Sequence, residues 1–260
     1  MNRLIPPEPQ IIAPGAVHLP GWLEPTLRRE LVARCRSWAE ASGGPRSPRM
    51  PNGTMMSVTM VGMGWHWYPY RYARTREDGD GGTVEPFPDW LGELSRSAVG
   101  DAAAVDPAVA ADPDRFAPDV ALLNWYGPGA KMGMHADREE VSPAPVVSFS
   151  VGQTGLFRFG NSAGRGRPWV DVPLESGDVV VFGGPSRLAF HGIPRLIAGT
   201  DDPEVGVLPG RLNVTVRQTG LDPGEAAGRR LQTPTGTGRR SLPTLRSGPS
   251  PDRAADPPVH

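Results

Sequence analysis

Apolar positions change their period part-way along the chain. From Pro25 to Ala41 they recur at helical spacing, at Leu27, Leu31, Val32, Cys35 and Trp38, which predicts a helix with one buried stripe. Trp90, Leu91, Leu94 and Ala98 predict a second helix over 88–99 in the same way. From Asp119 onward the period falls to two or gives way to short apolar runs, at 119–126, 145–151, 155–160, 168–173, 178–183, 187–191 and 211–218. Short strands in such succession, separated by Gly/Pro turns, predict a mainly β (α+β) fold of the sandwich or jelly-roll kind. The two helices would buttress one sheet from outside. The last strand alternates cleanly, with Arg211, Asn213, Thr215 and Arg217 on one face and Leu212, Val214 and Val216 on the other. The apolar face belongs in a core. The polar face either meets solvent or lines a cavity.

Composition narrows the class. The chain has 260 residues, enough for one well-buried domain with extras, and a formal net charge of −1, so no global basic field advertises nucleic acid. Its 33 glycines and 31 prolines favour strands and turns over a helical bundle. Segments 41–53 and 198–210 read as loops. From Leu221 to His260 there is no aromatic residue, and prolines and arginines recur among Gly, Ser and Thr. Such a stretch cannot bury enough apolar surface to offset its ordering entropy, so 221–260 is expected to be a disordered tail. Cys35, the one cysteine, excludes an intramolecular disulfide and fits a reducing compartment. With no apolar run long enough to span a bilayer, the expectation is a cytoplasmic monomer without membrane contact.

The candidate chemistry is concentrated in few residues. His135-x-Asp137 puts two side chains on the same side of an extended segment, and His191 ends an apolar run further on. Two imidazoles and one carboxylate leave half an octahedron open on non-haem Fe(II). Arg211 and Arg217 lie roughly 20 Å apart along a strand and, reaching inward, would leave a gap for a small dicarboxylate that guanidinium forks grip well. Asn124 and Tyr126 share a face at the end of the strand before His135 and could donate to the same acid. The aromatic run Trp65, Trp67, Tyr68, Tyr70 and Tyr72, with Arg71, reads either as a packed hairpin or as a stacking platform for bases.

These motifs, Asn124-x-Tyr126-x-Pro-Gly-Ala through His135-x-Asp137, Ser186-Arg187-x-x-x-His191-Gly192 and Arg211-x-Asn213-x-Thr215-x-Arg217-Gln218, resemble the AlkB family of Fe(II)- and 2-oxoglutarate-dependent dioxygenases. The likeness runs from about Pro14 to Gly220 and is strongest to the bacterial DNA-repair branch. It implies one domain over 1–220, with a double-stranded β-helix (jelly-roll) core over about 115–220 and a nucleotide-recognition lid over about 51–73. It implies Fe(II) on His135, Asp137 and His191, with O2 as co-reactant. It implies 2-oxoglutarate on Asn124, Tyr126, Arg211, Asn213 and Arg217. For the substrate it implies Trp65 stacking on a flipped base, Tyr70, Arg71 and Tyr72 where the lid meets the nucleotide backbone, Glu139 at the base and Arg165 on the strand, with Arg167 or Arg158 in that role if the loop shifts. The reaction implied is demethylation of 1-methyladenine and 3-methylcytosine in DNA, preferably single-stranded, with duplex DNA or RNA as further partners. Two other readings stay open: the same iron chemistry on RNA or another methylated substrate, and a damage-binding module without catalysis. The chain departs from the family's pattern in five places: Glu139 replaces an aspartate, Trp125 stands where the family is basic, the lid is about three residues shorter between Met60 and Trp65, and neither 198–210 nor 221–260 has a clear counterpart.

Overall fold

A computed structural model of the chain describes residues 7–76 and 79–222; the expected tail, apart from Leu221 and Asp222, lies outside them. Two antiparallel sheets face each other. The larger has the order β1-β2-β11-β8-β13-β6-β3, formed by Gln10–Ala13, Ala16–Leu19, Val179–Phe182, Val146–Gly152, Arg211–Arg217, Val120–Tyr126 and Val58–Met63 respectively. The smaller has the order β10-β9-β12-β7, formed by Val170–Leu174, Gly155–Phe159, His191–Leu196 and Met132–His135. This is the jelly roll expected of the sequence. A two-stranded hairpin, β4 (His66–Tyr68) and β5 (Arg71–Ala73), stands beside it.

Helix α1 spans Pro25–Ala41 as the periodicity predicts. Proline at the first helical position costs no hydrogen bond there, and the helix ends at Gly43, whose φ of +77° suits the left-handed exit. Helix α2 spans Asp89–Val105, longer than expected. Gly100 reads as a stop signal, but Ala102, Ala103 and Ala104 follow it, and the buried Ala102 gains packing that offsets the glycine penalty of about 1 kcal/mol. Both helices cover the outer face of the larger sheet: Leu31, Val32, Cys35, Leu91 and Val99 pack with Val147, Phe149, Val181, Leu212 and Val214. Burial pushes the Cys35 thiol far up, which makes it the inert structural thiol expected.

The alternation in β13 holds. Leu212, Val214 and Val216 face the helices, while Asn213 lies opposite Asn124, and Arg211 opposite Tyr126, on the inner face. Trp125 turns outward to the helix-side core, as its place between Asn124 and Tyr126 requires. Between the sheets, Tyr126, Phe157, Phe159, Phe182 and Ile193 form a second core.

Five strand assignments differ from expectation, among them β3 (Val58–Met63), which lies outside the predicted runs. The run 187–191 is a turn leading to a strand that starts at His191, because Gly184–Ser186 wind into a 3-10 turn and Ser186 and Phe190 bond to loop carbonyls. Strands β1 and β2 form a hairpin around Pro14-Gly15, too short for a period to register. β7 has four residues between turns and escapes notice for the same reason.

Candidate metal centre and co-substrate pocket

β7 and β12 deliver the histidines. His135 lies directly opposite His191 in the pairing of the two strands, with ring centres 4.5 Å apart. Asp137 follows β7 by two residues and is almost wholly buried. One donor atom from each of the three lies within 4.8 Å of the others. His135 Nε2 is 3.7 Å from Asp137 Oδ1, and His191 Nε2 is 3.8 Å from Asp137 Oδ2. Each imidazole engages a backbone carbonyl through Nδ1, His135 with Gly133 at 2.9 Å and His191 with Ala189 at 3.0 Å. These bonds fix the tautomer that leaves Nε2 free as a ligand.

The electrostatics suit a cation. Burial works to raise the Asp137 carboxyl, but Arg217, His191 and His135 outweigh it and hold it at about 2. Burial, aided by His135, lowers His191 to about 4, so the ring is neutral at physiological pH. Asp137 Oδ2 is buried without a hydrogen-bond partner, an orphan a metal ion would satisfy. The donor set therefore fits Fe(II).

The inner face of β13 and β6 holds the other expected cluster. Arg211 is 1% exposed, donates to Ser150 Oγ at 2.9 Å, and lies 5.2 Å from the Tyr126 ring centre. Among the described residues its Nε and Nη1 find no hydrogen-bond partner, and burial lowers the guanidinium pKa against the opposing pull of Tyr126 and Asp178. A buried cation with two free donors has what gripping a carboxylate requires. Asn124 Nδ2 donates to Asn213 Oδ1 at 3.2 Å, while Asn213 Nδ2 donates to Ser148 Oγ at 2.8 Å. Arg217 reaches the metal site itself, with Nη2 2.8 Å from Asp137 Oδ1.

The residues expected to meet substrate are spread more widely. Tyr72 is buried, donates to Glu140 Oε1 at 2.5 Å, and accepts from Arg217 Nη1 at 3.0 Å, so it ties the β4–β5 hairpin to the candidate metal site instead of facing outward. Trp65 also departs from expectation. It is 1% exposed, donates to Asp119 Oδ2 at 3.1 Å, and carries the Arg74 guanidinium 3.6 Å from its ring centre. As the lid stands, its indole has no open face for a base and packs with Met60, Tyr72 and Leu122 as the lid's floor. Gly64, with φ of +76° and its Cα against the Asp119 carbonyl, turns the chain sharply enough to bury it. Tyr70 and Arg71 are exposed at the tip of the β4–β5 hairpin. Arg165 is exposed with its guanidinium 5.9 Å from Phe190, whose ring also meets Arg138 at 5.2 Å. Glu139 is half-buried and makes no ion pair among the described residues, and burial raises its carboxyl.

Sequence reasoning missed Glu140, and it named Arg187 in the motif before His191 without giving it a role. The Glu140 side chain is fully buried, 3.0 Å from Arg187 and 3.1 Å from Arg217. Arg187 also donates to the Asp137 carbonyl at 3.0 Å and so holds the ligand-bearing loop. Their spacing from the ligands, three residues after Asp137 and four before His191, was the available signal.

A His-Asp-His cluster that fits iron, beside a buried guanidinium inside a jelly roll, is the arrangement of a class of oxygenase. The chain matches the 2OG-Fe(II) oxygenase superfamily over residues 15–217 and belongs to it. It is 36% identical over 214 residues to an alpha-ketoglutarate-dependent dioxygenase AlkB homolog of Caulobacter vibrioides, covering 81% of this chain and 90% of that protein. It is 30% identical over 223 residues to the DNA N(6)-methyladenine demethylase ALKBH1D of Arabidopsis thaliana, which is 80% of this chain and 50% of that one. The solved structure of OsALKBH1 matches with a TM-score of 0.72 at 32% identity, over 81% of this chain and 100% of that one. The protein is an Fe(II)- and 2-oxoglutarate-dependent dioxygenase of the AlkB type, using O2.

Proposed function

We propose that the protein demethylates alkylated nucleobases in DNA, with 1-methyladenine and 3-methylcytosine in single strands as its preferred substrates and RNA as a weaker one. Glu139 carries this reading. A half-buried carboxylate without an ion pair, two residues past Asp137, is costly until a cation arrives, and these methylated bases are cationic. The relatives' names, including a DNA demethylase, support a nucleobase as the target. The lone buried Cys35 agrees with action in a reducing compartment such as the cytoplasm.

His135, Asp137 and His191 would hold the iron, which with 2-oxoglutarate and O2 supplies oxidation of the N-methyl carbon and release of formaldehyde. Arg211, through its free Nε and Nη1, would grip one carboxylate of the co-substrate, with Tyr126 beside it and Asn124 and Asn213 along the same wall. Arg217 would orient the Asp137 carboxylate and neutralise charge near the metal. The lid would present Tyr70 and Arg71 to the strand, and Arg165 would meet a phosphate. The half-exposed His135 ring offers the cationic base a face at the mouth of the site.

Formaldehyde release from matched methylated DNA and RNA oligonucleotides, alone and in competition, tests the substrate class. Faster release from DNA supports the reading, and release from RNA alone overturns it. Glu139→Gln should narrow the discrimination between methylated and unmethylated strands.

A further inference from the structure

The strands that carry the histidines have a second face. Because His135 and His191 point between the sheets, their neighbours Met134 and Gly192 lie on the outer side of the smaller sheet. An open depression of about 330 Å³ lies there. Met134 and Pro194 make its lining apolar, Gly192 leaves it free of a side chain, Lys131 and Arg158 contribute cations, and the Met132 side chain turns inward to the Tyr126 hydroxyl. That volume is at the small end of ligand sites and suits about one nucleotide.

The surroundings are strongly asymmetric in charge although the chain's net charge is −1. Arg158 pairs with Asp171 through two bonds of 2.8 Å, and the same carboxylate feels Arg167 and Arg195. The Arg158 and Arg167 guanidiniums lie 4.6 and 4.8 Å from the Trp169 ring centre, which limits their freedom before any ligand arrives. Lys131, Arg167 and Arg195 are exposed. Lys131, the chain's one lysine, is tied to the segment entering the lid, since Ser57 Oγ bonds both its backbone N–H and its carbonyl.

We propose that this outer face of the smaller sheet binds a flanking stretch of the nucleic-acid substrate. One nucleotide occupies the apolar depression, and neighbouring phosphates meet Lys131, Arg195 and Arg167. The proposal rests on the nucleic-acid reading above. A cationic track with apolar contact for bases is what sequence-tolerant single-strand binding requires. It gives the enzyme a grip on long strands that the catalytic pocket does not supply.

The test compares the full-length protein with Lys131→Glu/Arg195→Glu, using fluorescence anisotropy with a labelled 15-nucleotide single strand across a salt series. Turnover of a methylated mononucleotide, which has no flanking nucleotide to place on the outer face, is measured alongside. The double variant should bind the long strand at least tenfold more weakly. Its salt dependence should flatten by about 1.4 in log–log slope, as two lost phosphate contacts on a single strand require. Mononucleotide kcat/KM should stay unchanged. Equal affinity and slope for parent and variant overturn the proposal while leaving the nucleobase reading intact. A parent that neither binds nor turns over any nucleic acid overturns both. If the double variant does not fold, Lys131→Gln/Arg195→Gln replaces it, with weakened, flatter binding again expected and unchanged binding again fatal.

Discussion

Replacing Arg211 with methionine should leave the ligand-free protein nearly as stable as the parent while abolishing its response to 2-oxoglutarate. A side chain this deeply buried ordinarily costs several kcal/mol to truncate, but Arg211 is an unpaired cation whose Nε and Nη1 donate to nothing. Desolvating such an ion costs several kcal/mol, on the order of 3 here. The bond to Ser150 returns about 1.5 kcal/mol and the Tyr126 ring about 1 kcal/mol. Methionine fills similar space at a repacking cost below about 1.5 kcal/mol. The terms nearly cancel, so the melting temperature without co-substrate should move by no more than about 4 °C, at roughly 2–4 °C per kcal/mol for a domain of this size. With a redox-inert divalent metal and 2-oxoglutarate at a hundred times its Kd, the parent gains about 2.7 kcal/mol, or roughly 5–11 °C. The variant should gain nothing from the acid. Differential scanning fluorimetry reads both quantities in one plate. A large loss of stability without ligand, or a retained 2-oxoglutarate shift, refutes the view that Arg211 is held as a carboxylate cradle.

Glu140→Ala strips the shared partner from Arg187 and Arg217 and should cost about 3–5 kcal/mol in urea denaturation, more than any exposed charge change. In the metal-free protein, His191 titrates near 4 instead of near 6.5, so the unfolded chain takes up the proton first as pH falls. Stability from this group is full above pH 6.5 and is lost on acidification towards pH 4; between pH 7 and pH 5 the loss should be about 2 kcal/mol, and His191→Gln should remove that slope. Tyr70, at φ +72°, occupies a left-handed turn position that disfavours side chains, so Tyr70→Gly should hold stability within about 1 kcal/mol by thermal melting yet weaken oligonucleotide binding.

The sequence was most informative where chemistry and backbone period coincide. Arg211, Asn213, Thr215 and Arg217 alternate with apolar residues, which put them on one face, and the His135-x-Asp137 and His191 motifs decided that this face looks inward. Helix α1 was equally clear, because a long amphipathic stripe outweighs local irregularity. Contacts that cross between elements were not legible. Tyr72 reads as one more lid aromatic until the fold brings β5 against Glu140 and Arg217. Glu140 was hidden beside Glu139, since spacing does not say which of two adjacent carboxylates turns inward. Trp65 looked like a stacking surface because residue type does not reveal that Gly64 folds the indole beneath Arg74 and onto Asp119.

The most direct measurement is intact-mass spectrometry of a single-stranded DNA carrying one 1-methyladenine or 3-methylcytosine, incubated with the purified protein, Fe(II), 2-oxoglutarate, ascorbate and O2. Loss of one methylene mass by the parent and none by His135→Ala is the predicted result. An unchanged oligonucleotide in the presence of protein that binds iron and forms succinate would contradict DNA-base demethylation.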